Sequence, residues 1–248
     1  MTTEPKNLKT QQYSDFQQRN EEAATWSEDS VLQSLITTEA PLILDVGAYT
    51  GTSAIRFREL FPKSRIRCFE PNPEAYAELE LTRTRLGGDI QLFKSAVSDV
   101  DGEVKFIVQG INPGMSGLAK RNLQSNDSIA LTENPDSAKQ HLNLQELAVT
   151  CTRLDSIDSL KSVDVDLLKI DVQSCESQVL AGAQDILRRT SVVLVEVSFY
   201  DLYVNRSSFL SVEQFTAPAG LRLWAITTHS RNPMNGRTDW VNVIYSRN

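Results

Sequence analysis

Cysteine is scarce and unpatterned: Cys68, Cys151 and Cys175 lie far apart, with no C-x-x-C pair and only two histidines in 248 residues. That excludes a disulfide framework and speaks against a zinc site. Apolar runs long enough to cross a bilayer, about 20 residues, are missing, because the longest stretches are strand-sized. The opening MTTEPKNLKTQQYSDF also lacks the apolar core of a signal peptide. The expectation is a cytoplasmic protein with reduced thiols and no membrane partner. Basic charge is short as well: 25 Lys and Arg against 32 Asp and Glu give −7 and a pI near 5.0. A broad phosphate-binding surface needs clustered cations, so nucleic acid is not expected as a partner.

What is present is the composition of an ordinary globular chain, 40 % hydrophobic and 23 % charged, with 11 Gly and 9 Pro. A single α/β domain of this size buries roughly 70–75 % of its unfolded surface, so neither disulfide nor structural metal is needed for folding. Residues 1–40 read as a helical extension, with helices over Tyr13 to Trp26 and Ser27 to Thr37, the second capped by Ser27. Residues 41–248 read as the main domain. Its first strand is the apolar run from Pro41 to Gly47, followed by a helix over Thr52–Leu60 and a strand over Arg65–Phe69. A helix over Pro73–Leu86 and a strand from Ile90 to Val97 continue the alternation. The turn Asp101-Gly102 then predicts an extra strand, Glu103 to Val108, before an irregular stretch over 109–147 that reads as an insertion or lid. Further strands are predicted at Leu147–Arg153, Leu167–Val172, Val192–Val197, Leu221–Thr228 and Trp240–Ser246, and helices at Glu176–Leu187 and Phe209–Phe215. Such alternation implies a mostly parallel sheet with helices on both faces, and the last two strands, joined without a crossover helix, imply an antiparallel edge.

The segment LDVGAYTG, Leu44 to Gly51, sets an acid at a strand end, glycines four apart and a helix start. Ligands of open α/β sheets bind beyond the carboxyl ends of strands, and Gly47 and Gly51 permit close backbone approach. The G-x-G-x-x-G of a dinucleotide loop is absent, since Ala48 and Tyr49 follow Gly47. Asp45 suits an ammonium group, directly or through water. Glu70, in FEPNPE (Phe69 to Glu74), ends the next strand 19 residues after Gly51, where a carboxylate can accept from both hydroxyls of a ribose.

This combination resembles the class I S-adenosylmethionine-dependent methyltransferases, and within them the FkbM family. The resemblance covers Pro41 to Val197 through LDVGAYTG, FEPNPE, SAVSDVDGEVKFIV, TRLDSI and LLKIDVQSCESQVLAGA. It implies a Rossmann-like seven-stranded sheet, S-adenosylmethionine as methyl donor, and O-methylation of a hydroxyl on a small metabolite such as a natural product or sugar-like acceptor. Asp45 and the turn Gly47, Ala48, Tyr49, Gly51 would hold the methionine moiety. Glu70, with Pro71 and Asn72, would hold the ribose, and Ser95, Ala96 and Val97 the adenine edge. The family pattern after the fourth core strand is Asp, apolar, Glu, Gly, small, Glu. Here it reads Asp171, Val172, Gln173, Ser174, Cys175, Glu176, so three positions depart.

Transfer to an aliphatic hydroxyl needs a proton acceptor, and two residues offer themselves: Asp171 at its strand end, which would also touch the cofactor, and His229 just past the Leu221–Thr228 strand. His229 is the more basic. Other residues read first as structural: Glu176 bracing its helix's first turn, Glu196 as a paired buried carboxylate, Cys175 as a small packing residue that a helix N-terminus could render reactive. Among Asp155, Asp158, Asp164, Asp166 and Asp171 only the last stands at the ligand edge, so a divalent metal is possible but not favoured. Two rival readings remain: a non-catalytic cofactor-binding scaffold, motivated by Gln173-Ser174-Cys175, and a nicotinamide-dependent oxidoreductase, disfavoured by the missing third glycine. Oligomeric state is not legible.

Overall fold

The computed structural model describes residues 26–110, 113–133, 135–232 and 235–247. The helix expected from Tyr13 to Trp26 lies outside them but for its last residue. Helix α1 (Glu28–Leu35) starts where expected, with Ser27 Oγ accepting the Ser30 N–H. Its Val31, Leu32 and Leu35 enter the core, so this part of the extension is packed onto the sheet. Then come β1 (Leu42–Val46), α2 (Thr52–Leu60), β2 (Arg65–Phe69), α3 (Pro73–Leu86) and β3 (Ile90–Phe93).

Strand three was expected to run on to Val97; it breaks after Phe93, and β4 (Ala96–Val97) joins a different sheet. There it pairs with β6 (Leu144–Thr152), which also pairs antiparallel with β5 (Gly102–Gln109). The stretch between β5 and β6 is less irregular than its composition suggests, holding a 3₁₀ turn at Pro113–Met115 and helices α4 (Asn126–Thr132) and α5 (Pro135–Leu142). The chain returns to the main sheet as β7 (Val165–Ile170). The helix expected over Glu176–Leu187 is two, α6 (Glu176–Ala181) and α7 (Gln184–Leu187). Gly182 divides them where the chain presses on its neighbour: a Cβ there would fall 2.0 Å from Ser98 O. Strand β8 (Thr190–Ser198), helix α8 (Phe209–Thr216), β9 (Arg222–Arg231) and β10 (Thr238–Ser246) complete the fold.

The main sheet has seven strands in the order β3-β2-β1-β7-β8-β10-β9. All pairings are parallel except those of β10, which runs antiparallel to both β8 and β9. The antiparallel strand is therefore internal, and β9 forms the edge. Alternating residues divide between two cores, as the two-residue strand period requires. Ile43, Ile66, Leu167, Leu194 and Ile244 face α1, α2 and α3; Leu44, Leu168, Val193 and Val243 face α6, α7 and α8. The strand order reverses between β1 and β7, and the crevice beyond their carboxyl ends is where such sheets bind ligands.

Candidate active site

The turn after β1 is shaped by glycine at two points. Gly47 adopts φ 79°, and a Cβ there would stand 1.9 Å from Asp171 O, so no other residue fits without moving the β7 end. Gly51 precedes α2 at φ 94°, with Thr82 Cγ2 and Leu79 Cδ1 within 3 Å of where its Cβ would be. Tyr49 between them is also left-handed, at φ 48°. Its N–H donates to Glu70 Oε2 at 2.8 Å, while the Asn72 N–H donates to Oε1 at 2.8 Å. Asn72 in turn caps α3, accepting the Glu74 N–H. Each Glu70 oxygen therefore keeps a lone pair for a further donor. Burial pushes the Glu70 carboxyl up to about 7 in spite of those two N–H groups.

Glu70 opens into a cavity of about 220 Å³. Gly47, Tyr49, Pro71, Ser95, Ala96, Val97 and Asp171 also line it, and Phe69, Phe106, Leu118 and Val172 supply apolar walls. The segment from Pro113 to Leu118 closes one side, so the first part of the expected lid does border the cavity. The Ser95 side chain is turned away into the backbone, donating to Ala96 O at 2.7 Å. Ala48, Gly51 and Asn72 shape the surroundings without lining this space.

Asp45 lies beneath the turn, fully buried, on the α1–α3 side of the sheet. Ser53 Oγ donates to its Oδ2 at 2.5 Å, and Lys169 Nζ stands 3.1 Å from Oδ1. Both oxygens thus face protein groups, which corrects the expectation of a direct bond to a ligand ammonium. Lys169 also donates to Gly47 O at 2.8 Å and stands 4.0 Å from Asp171 Oδ2. Burial disfavours its charge, but Asp45 and Asp171 outweigh that and hold the ammonium above its usual value. Sequence reading passed over this lysine; the signal was a cation inside the apolar run VDLLKI.

Asp171 is the acid that reaches open space, with its side chain about one-third exposed. Gln173 Nε2 donates to its Oδ1 at 3.0 Å, and Gln173 Oε1 lies 3.1 Å from Tyr203 Oη, which also stands 3.0 Å from Met115 O. The departure from glutamate at position 173 therefore places a donor beside Asp171 instead of a second anion. Glu176 braces the turn as expected, Oε1 accepting the Ser174 and Val172 N–H groups, and burial pushes it to about 7. Cys175 is inert packing: burial, then the Glu176 charge, pushes its thiol to about 12.

A second cleft adjoins the first and shares Gly47, Tyr49 and Asp171 with it. It lies between the start of α2 and the ends of β7, β8 and β10, with Arg56, Lys169, Glu196, Trp240 and Asn242 on its walls. His229 lines neither. It sits within β9, opposite Val241, and not in a loop beyond the strand. With β8 and β10 between β9 and β7, roughly 14 Å of sheet separates it from the β7 end. This removes the support for His229 as a proton acceptor. Among the described residues no group of three or more His, Cys, Asp or Glu could hold a metal ion, and no helix is long and apolar enough to cross a membrane.

Residues 45–223 match the methyltransferase FkbM domain. The 2-O-methyltransferase NoeI of Sinorhizobium fredii is 33 % identical over 174 residues, 68 % of each chain. Methyltransferase 1 of Beauveria bassiana is 26 % identical over 58 % of each. The AMB antimetabolite synthetase AmbE of Pseudomonas aeruginosa is 27 % identical over 63 % of this chain and 8 % of its own length. Among solved structures, TehB from Haemophilus influenzae superposes with TM-score 0.48 at 8 % identity, covering 89 % of this chain and 61 % of that one. The strand-end turn, the Glu70 cavity and the match across most of the chain lead to one statement of kinship: this protein belongs to the FkbM methyltransferase family.

Proposed function

We propose that the protein is an S-adenosylmethionine-dependent O-methyltransferase acting on a hydroxyl of a small metabolite. The observation that carries this reading is Glu70, a buried carboxylate with one spare lone pair on each oxygen, set in the wall of an apolar-sided cavity at the sheet's switch point. An adenosine fits that chemistry: a diol for Glu70, and a flat apolar ring against Val97, Phe106 and Leu118. Asp171, half-open and held by Gln173, would meet the donor's ammonium group, a role the buried Asp45 supports from below through Lys169. When bound, S-adenosylmethionine supplies an electrophilic methyl group. The chain's own task is to hold the acceptor oxygen about 3 Å from it, in line, and to take up the hydroxyl proton.

The O-methylation reading draws on the kinship with a 2-O-methyltransferase. Incubating the protein with methyl-labelled S-adenosylmethionine and a metabolite extract tests it, with mass spectrometry locating the label. Label on oxygen of a small molecule is the expected result; label on nitrogen or carbon would overturn the acceptor assignment. Thermal shifts with S-adenosylhomocysteine against NAD and NADP separate this reading from an oxidoreductase, since a ligand that binds only the folded state raises its stability.

A further inference from the structure

Glu196 was expected to be a paired carboxylate, and the structure gives it no hydrogen-bonding partner among the described residues. It stands near the end of β8, directly across from Asn242 of β10, on the wall of the second cleft. That cleft meets the Glu70 cavity at Gly47, Tyr49 and Asp171, so a molecule in one touches the boundary of the other. Other polar groups here are engaged: Arg56 with Glu28 and Asp29, Asn242 Nδ2 with Glu28, Lys169 with Asp45 and Gly47. Trp240 adds an aromatic surface. A desolvated acid without a hydrogen-bond partner, beside an aromatic ring and open to a neighbouring ligand site, is the composition of a pocket for an uncharged, hydroxyl-bearing ring.

We propose that this second cleft is the acceptor site, that it takes a small ring bearing aliphatic hydroxyls, and that Glu196 is the catalytic residue receiving the hydroxyl proton. The inference rests on the methyl-transfer reading above. In the step it assigns, the acceptor oxygen bonds to the methyl carbon, the electron pair of the carbon–sulfur bond stays on sulfur, and the proton passes to a Glu196 oxygen. The surroundings give that base a high proton affinity, so its ionised, proton-accepting form builds up on the alkaline side of neutrality. Burial, then the neighbouring Asp171 and Glu176 charges, push the Glu196 carboxyl well above the ordinary carboxylate range, against the pull of Lys169. Tyr200 is a further titratable neighbour, and Arg56 stands on the same cleft wall. A base of raised proton affinity transfers protons more effectively than an ordinary carboxylate.

Binding and turnover are read separately. Methyl glycosides of hexoses and 6-deoxyhexoses serve as probes, with saturation-transfer NMR on protein saturated with S-adenosylhomocysteine. The expected result is glycoside binding to the wild type, at least tenfold weaker in Trp240→Ala, with S-adenosylhomocysteine affinity unchanged within about threefold. Glu196→Gln should retain glycoside binding within a few-fold yet lose methyl transfer by ~10²-fold or more, together with the acid limb of the pH–rate profile. Glycoside binding that is indifferent to Trp240→Ala would overturn the site. Absence of binding by every probe would overturn the ligand class, and full turnover in Glu196→Gln the proton assignment. Failure of the wild type to bind S-adenosylhomocysteine would instead sink the underlying methyl-transfer reading.

Discussion

Ser174 occupies the left-handed region at φ 77°, next to Gln173 at φ 58°, and its buried hydroxyl finds no hydrogen-bond partner. A side chain in that conformation costs roughly 1–2 kcal/mol, and the family's glycine at this position would avoid it. Ser174→Gly is therefore expected to stabilise the protein by about 1–2 kcal/mol in denaturant unfolding; a destabilised variant would show that the serine does something the geometry hides. His229→Ala is expected to change turnover by less than about threefold, because its strand lies at the far edge of the sheet. A loss of ~10²-fold would restore it as the base. Glu70 and Asp171 were legible because both end buried parallel strands, where ligands gather. Asp45 was misread although its parity held the answer: it shares a face with Ile43, so it points beneath α2. Lys169 and Glu196 were less legible, since a charge inside an apolar strand announces an exception without naming its partner.

At the scale of elements, the segment around Met115 is tied to the β7 end through Tyr203, whose hydroxyl reaches both Met115 O and Gln173 Oε1. Removing that hydroxyl forfeits about 1 kcal/mol of hydrogen bonding. Tyr203→Phe should accordingly weaken S-adenosylhomocysteine binding by ~5-fold and raise protection-free exchange of amides near residues 113–118, as hydrogen-exchange mass spectrometry would show. Equal exchange and equal affinity would mean that this segment holds its place unaided. Helix and strand order could be read from periodicity because one buried face repeats over whole elements. The division of the third strand at Phe93 and of the helix at Gly182 could not, because each depends on a distant segment: β6, with which Ala96 and Val97 pair, and Ser98 O, which stands against Gly182.

For the whole molecule, the buried acids set a pH dependence of definite sign. Glu70 and Glu176 rise from 4.5 to about 7 on folding, so the folded state holds protons that the unfolded state has released. Their contribution is fully present below pH 4.5 and is lost as pH rises through about 7. Ligand-free protein should melt at a higher temperature at pH 6 than at pH 8; the reverse order would contradict the burial of these groups as ionisable carboxyls. Ligand affinity runs the other way, since only ionised Glu70 accepts from both hydroxyls of a diol. If Glu70 holds a ribose at the switch point, calorimetric titration of S-adenosylmethionine into the wild type and Glu70→Ala at pH 8 will register the loss of those hydrogen bonds. The expected result is a wild-type complex that the substitution weakens by roughly 1–3 kcal/mol, the scale of charge-assisted hydrogen bonds. Equal affinity in the two proteins, or no binding to the wild type, would contradict it.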